Sequence, residues 1–119
     1  MQILAVDDSR TMRKMIQATL EGAGIETHLA EDGVDGLRTL DSIAPDAIIT
    51  DINMPNLDGF GFIDGVRARD DHKTTPILVL TTESAPELKA KARLSGATGW
   101  VVKPFDPEKL VRALKMIAG

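Results

Sequence analysis

The 119-residue chain contains no cysteine. That excludes a disulfide scaffold and a thiolate metal site. No apolar run approaches the ~20 residues of a membrane span, and no basic segment followed by an apolar stretch opens the chain. The cytoplasm is the expected location. The sequence also lacks a basic block: its formal net charge is -4. A nucleic-acid-binding domain carries a basic patch, so nucleic acid is not an expected partner. Repeats, low-complexity segments and linkers are absent, and a single domain over 1–119 is expected.

What is present is a globular composition, 43% apolar and 27% charged, with Gly and Pro spread as punctuation. Residues 2–6 (QILAV) read as a buried strand. Residues 10–22 carry Met12, Met15, Ile16, Thr19 and Leu20 at helical spacing, and Gly22 and Gly24 end that helix. Residues 25–30 (IETHLA) alternate as an edge strand would. Gly33 to Ile43 reads as a helix with Val34, Leu37 and Leu40 inward, closed by Pro45. DAIITD (46–51) is a short apolar strand, and the loop NMPNLDG leads to a helix over 60–69 with Phe60, Ile63 and Val66 inward. PILVLT (76–81) is the most hydrophobic strand. A helix over 85–95 has Pro86 in its first turn. TGWVV (98–102) is the last strand, and 107–118 the last helix, with Leu110, Leu114 and Ile117 inward. This strand–helix alternation predicts a five-stranded parallel sheet covered on both faces by right-handed crossovers. Five strands are too few for a closed eightfold barrel, so an open, doubly wound α/β fold is expected.

In such sheets ligands bind beyond the carboxyl ends of the strands. There the sequence places Asp7 and Asp8 after the first strand, Asp51 after the third, Thr81 at the end of the fourth and Lys103 after the fifth. Each has an ordinary reading by itself: Asp7 and Asp8 as a turn and cap with Ser9 as rival cap, Asp51 as a turn, Thr81 as a strand residue, Lys103 as a solvated lysine. Their convergence on one rim is what carries meaning. Three carboxylates and one ammonium group leave two negative charges, which one divalent cation would neutralise. Oxygen donors select Mg²⁺, Mn²⁺ or Ca²⁺, and so few protein ligands suit Mg²⁺ with waters and a phosphate. A lysine and a hydroxyl suit the charge that develops in phosphoryl transfer.

VDDS, DINMPNLDG, LTT and GWVVKPF, in this order and spacing, resemble the receiver domain of two-component response regulators, over the whole chain. DDSRTMRKMI is similar to the stand-alone chemotaxis regulators of CheY type. The resemblance implies a flavodoxin-like (βα)₅ sheet of order 2-1-3-4-5. It implies that Asp51 is the phosphoacceptor and that Asp8 binds Mg²⁺ (or Mn²⁺) directly, with Asp7 supporting it through water. Asp51 and the backbone carbonyl of Asn53 complete the implied ligands. Thr81 and Lys103 would receive phosphoryl oxygens, and the Lys103–Pro104 peptide, usually cis in this family, would aim Lys103 into the site. Asn53 and Glu83 fall where such domains tune the lifetime of the acyl phosphate. Trp100 stands where they carry a switch aromatic, more often Tyr, Phe or His.

The function implied is a signalling switch, not a turnover enzyme, which catalyses its own phosphorylation and dephosphorylation. Partners implied are a CheA-type histidine kinase and a docking target reached through helix 4, strand 5 and helix 5. With no output domain expected, the flagellar motor switch is the first candidate target. The alternative is a phosphate sink or a single-domain phosphorelay regulator outside chemotaxis. A monomer away from membranes is expected. An aspartyl-phosphate hydrolase would want a second acid–base carboxylate at the Asn53 position. A flavin carrier would want a Ser/Thr/Gly-rich loop where Asp7 and Asp8 stand, and more than 3% aromatics. His28 and His72 have no catalytic setting, and the DDHK run (70–73) reads as a solvated turn. Lys89, Lys91 and Arg93 make helix 4 basic, as a solvated face or part of the docking face.

Overall fold

The computed structural model describes residues 1–119. Five strands, β1 (Gln2–Val6), β2 (Glu26–Ala30), β3 (Ala47–Thr50), β4 (Ile77–Thr81) and β5 (Gly99–Val102), alternate with five helices. The helices are α1 (Arg10–Gly22), α2 (Gly33–Thr39), α3 (Gly59–Arg67), α4 (Pro86–Ser95) and α5 (Pro107–Ala118). All strand pairs are parallel, in the order β2-β1-β3-β4-β5, as expected. No helix is long and apolar enough to cross a membrane.

Side chains alternate across each strand, and this splits the interior into two cores. Ile3, Ala5, Ala47, Ile49, Leu78 and Leu80 pack with Ile16 and Leu20 of α1 and Leu110 and Leu114 of α5. Leu4, Val6, Ile48, Ile77 and Val79 pack on the other face with Phe62, Ile63 and Val66 of α3 and Ala92 of α4. β1, β3 and β4 are buried on both faces, which explains their unbroken apolar runs. β2 is partly exposed at the edge.

Several expectations need correction. α2 ends at Thr39, not Ile43, and Val34 points outward at 43% exposure. Its inward face is Gly33, Gly36, Leu37 and Leu40, because a side chain at Gly36 would collide with Phe62 and Val6. Met15 is likewise 47% exposed: the buried stripe of α1 is only Ile16 and Leu20. The DDHK run is not uniformly solvated, since His72 is buried, its Nδ1 3.0 Å from Thr75 Oγ1. Lys91 sits 4.2 Å from the Phe60 ring centroid, a cation–π contact towards α3.

Side-chain caps open four helices: Ser9, Asp32, Asp58 and Asp106 each accept a backbone N–H of the first turn. α4 has none, and of its residues only Ala92 is buried. Its far end is held instead, where Arg67 Nε and Nη2 donate to the Gly96 carbonyl at 3.2 and 2.8 Å. Arg67 Nη1 also reaches the His72 carbonyl at 2.7 Å.

Asp32 has a second task. Its Oδ1 accepts from Asp35 N at 2.8 Å and its Oδ2 from Asn56 Nδ2 at 2.7 Å, tying the β2–α2 turn to the loop after Asp51. The Asp35 amide, and then Asn56, hold the Asp32 carboxyl below its ordinary value of 3.8. A lowered folded-state value means the stabilisation exists above the ordinary value and disappears as pH falls through the folded one. Asp32→Ala is therefore expected to cost about 1 kcal/mol near neutral pH. In urea melts the gap between variant and parent should close as pH drops below the carboxylate range, and a gap that persists there would exclude the ionised cap as its source.

Candidate functional site

The same pleat that divides the cores builds the site. Ile3 and Ala5 lead to Asp7, Ala47 and Ile49 to Asp51, and Val101 to Lys103, all with the parity of the α1/α5 face. Each lies just past its strand end. Lys103 Nζ stands between the two carboxylates, 2.7 Å from Asp7 Oδ2 and 2.8 Å from Asp51 Oδ2. The Lys103–Pro104 peptide is cis.

Asp7 is 1% exposed and every polar atom it has is bonded. Its N–H donates to the Ala30 carbonyl at 3.1 Å, and its Oδ1 accepts from Ser9 N at 2.9 Å. Its carbonyl accepts from Arg13 Nη1 at 2.7 Å. Burial pushes the Asp7 carboxyl up, against the opposing pull of Lys103 and the Ser9 amide. Burial likewise pulls the Lys103 ammonium down, but the hydrogen bonds to Asp51 and Asp7 outweigh it and leave it above its ordinary value. Pairing therefore favours the charged form at Lys103, while at Asp7 burial outweighs it.

Asp8 is exposed and makes no hydrogen bond to the protein. Carboxylate oxygens of Asp7, Asp8 and Asp51 all lie within 4.8 Å of one another. Three hard oxygen donors at this spacing suit a small divalent cation, and the uncompensated negative charge favours one. The cluster fits a metal ion.

Asp51 is 8% exposed, and its Oδ1 accepts the Ile52 amide at 2.6 Å. Thr81 is buried at the end of β4, its Oγ1 accepting from Glu83 N at 3.3 Å. Asn53 Nδ2 donates to Glu83 Oε1 at 2.9 Å in an exposed contact. Trp100 is partly buried against the α3/α4 core, and its Nε1 donates to the Glu83 carbonyl at 3.0 Å. Glu83 is therefore bonded to Asn53, Thr81 and Trp100 at once. His28 of β2, its Nε2 3.0 Å from Gln2 Oε1 of β1, lies outside this arrangement.

Two residues here escape a reading of sequence alone. Arg13 lies one turn into α1, and helical side chains lean towards the N-terminus, so it reaches back over the Ser9 cap. Its only signal is that placement. Gly59 opens α3 against the backbone of the acceptor: a Cβ there would overlap the Asp51 carbonyl oxygen and sit 2.7 Å from Ile52 Cα. The Asp-Gly of NMPNLDG is thus a cap followed by a close approach.

A sequence profile described as the response regulator receiver domain matches residues 3–115. Chemotaxis protein CheY1 of Helicobacter pylori is 40% identical, the match covering 100% of this chain and 98% of that protein. The structure of Vibrio cholerae chemotaxis protein CheY4 superposes with a TM-score of 0.94 at 46% identity, covering 98% of this chain and 97% of that one. A receiver domain of a Pseudomonas aeruginosa sensor histidine kinase, with a magnesium ion coordinated in its active site cleft, has a TM-score of 0.92 at 29% identity. There the coverage is 99% of this chain and 97% of that one.

Gly59→Ala is expected to push α3 off the Asp51 backbone, with a loss of roughly 1–3 kcal/mol in urea unfolding. An unchanged midpoint would show that the helix start yields freely.

Proposed function

The chain belongs to the response regulator receiver domain family, and from that premise we propose that it accepts a phosphoryl group on Asp51 in a Mg²⁺-dependent transfer. The observation that carries the reading is the Lys103 ammonium bridging Asp7 and Asp51 beside an acidic cluster able to hold a metal. Receiver domains are signalling switches that work between a histidine kinase and a downstream target. Here the kinase is proposed to be of CheA type, in the cytoplasm. An Asp51 carboxylate oxygen attacks phosphorus, the P–N bond of the phosphohistidine breaks, and its electron pair stays on the imidazole nitrogen. Lys103 pairs with the phosphoryl oxygens as they approach, and the Thr81 hydroxyl donates to another. Mg²⁺, held by the Asp8 and Asp51 carboxylates and the Asn53 carbonyl with Asp7 behind, would neutralise charge on the group in transfer. Reversal of the signal needs water to attack the phosphorus and release Asp51. Asn53 and Glu83, bonded to each other and each two residues past Asp51 and Thr81 respectively, are proposed to stand on that approach and to set the lifetime.

Thr81 moving towards the phosphoryl group would disturb the Glu83 loop and, through the Glu83 carbonyl, Trp100. The α4–β5–α5 face then changes. Between β5 and α5 it carries Met116, 76% exposed, in a groove with Trp100, Val101 and Ile117, an apolar surface suited to a docking partner. Similarity to CheY1 and CheY4 over nearly the whole chain favours chemotaxis signalling to a flagellar motor switch protein. A phosphate sink or a relay regulator outside chemotaxis is the second reading, and a pull-down with a motor-switch fragment, with and without phosphorylation, separates the two.

With Mg²⁺ and acetyl phosphate the parent chain is expected to gain the mass of one phosphoryl group, and Asp51→Asn none. Gain by the variant would remove Asp51 from the acceptor role. Fluorescence of Trp100, the only tryptophan, should be quenched by Mg²⁺ or by an acyl-phosphate analogue. A signal indifferent to both would sink the proposed link between site and indole.

A further inference from the structure

Arg13 is the one basic side chain besides Lys103 that bonds to the acidic cluster, and it does so through backbone. Its Nη1 donates to the Asp7 carbonyl at 2.7 Å in a partly buried setting. That carbonyl belongs to the peptide plane joining Asp7 to Asp8. The residue on its N-terminal side is already immobile: Asp7 N–H is bonded to Ala30, and its two carboxylate oxygens to Ser9 N and Lys103. Asp8, on the other side, has no bond of its own. Fixing the plane through the Asp7 carbonyl sets the direction in which the Asp8 side chain leaves the backbone.

We infer that Arg13 is a positioning residue for the metal site, aiming Asp8 by holding the Asp7–Asp8 peptide. The inference rests on the proposed Mg²⁺ role of Asp8. It makes Arg13 a cation that favours binding of another cation. By charge alone the guanidinium repels a divalent ion, and its removal would tighten binding. By orientation its removal loosens binding, because groups that hold metal ligands in place are typically worth 10–100-fold in affinity. The two effects have opposite signs, so one measurement separates them. The reach of Arg13 comes from its place in α1. It follows the Ser9 cap by four residues, with Arg13 N itself donating to the Ser9 carbonyl at 2.9 Å. The same first turn therefore caps the helix and steadies the loop before it.

The test is Mg²⁺ titration by calorimetry on the parent chain, Arg13→Met and Arg13→Lys, with a thermal melt of each. Arg13→Met is expected to bind Mg²⁺ about tenfold more weakly. Arg13→Lys, a point charge on a flexible stem, should fall between it and the parent. Equal or tighter binding by Arg13→Met overturns the inference and leaves the Mg²⁺ reading standing. A parent chain that takes up no Mg²⁺ overturns both. If Arg13→Met fails to fold, Arg13→Lys decides: weaker binding at an unchanged melting temperature supports the positioning role, and parental affinity rejects it.

Discussion

Two carboxylates approach each other at the carboxyl rim of the sheet because parallel strands β1 and β3 are neighbours and end together. Left alone, the Asp7 and Asp51 carboxylates would repel in a partly dry setting. The Lys103 ammonium resolves this, at 2.7 and 2.8 Å from the two. It arrives from β5, two strands away from β3, so its place between them depends on the register of the whole sheet. The burial of Thr81 and the closeness of Asp8 are further consequences of that register. Desolvation and pairing oppose each other at both Asp7 and Lys103, burial prevailing at the carboxyl and pairing at the ammonium.

The loop after the acceptor is fixed from three sides. Asn56 is held by Asp32, Gly33 N donates to the Leu57 carbonyl at 3.2 Å, and Gly59 packs on the Asp51 backbone. Asn53, between Asp51 and this braced stretch, reaches Glu83 at 2.9 Å. Asn56 itself adopts a positive φ of 67°, a conformation Asn tolerates better than most residues. The polar residues of NMPNLDG therefore brace the loop at Asn56 and Asp58, while Asn53 bonds across to Glu83.

The fold was legible because its signals are strong and repeated: apolar strands, helices with one buried face, and punctuation by Gly and Pro. The rim residues were legible because Asp7, Asp51, Thr81 and Lys103 interrupt or follow apolar runs at matching places. What sequence did not disclose follows from geometry that periodicity does not encode. Val34 and Met15 are apolar residues at the margin of a stripe. Which side they take depends on how closely α2 and α1 approach the sheet, and on small residues such as Gly36. His72 is buried because the segment between Arg67 and Pro76 folds back on α3, a tertiary choice within a charged run. Arg13 carries no signal in the sequence because its partner is a carbonyl, and backbone acceptors are invisible there. The likeness of the motifs to receiver domains supplied roles, such as that of Asn53, which the residue type alone does not give.

The uneven seating of α4 gives that helix a mechanical character. At one end it begins without a side-chain cap, above the loop that joins Thr81 to Glu83 and Trp100. At the other, the guanidinium of Arg67 grips the Gly96 carbonyl, a cation at the negative end of the helix dipole. The first turn of α4, uncapped by any side chain, is thus the less firmly tied end of the helix and the one that lies nearer Thr81 in the chain, while the end at Gly96 is the anchored one.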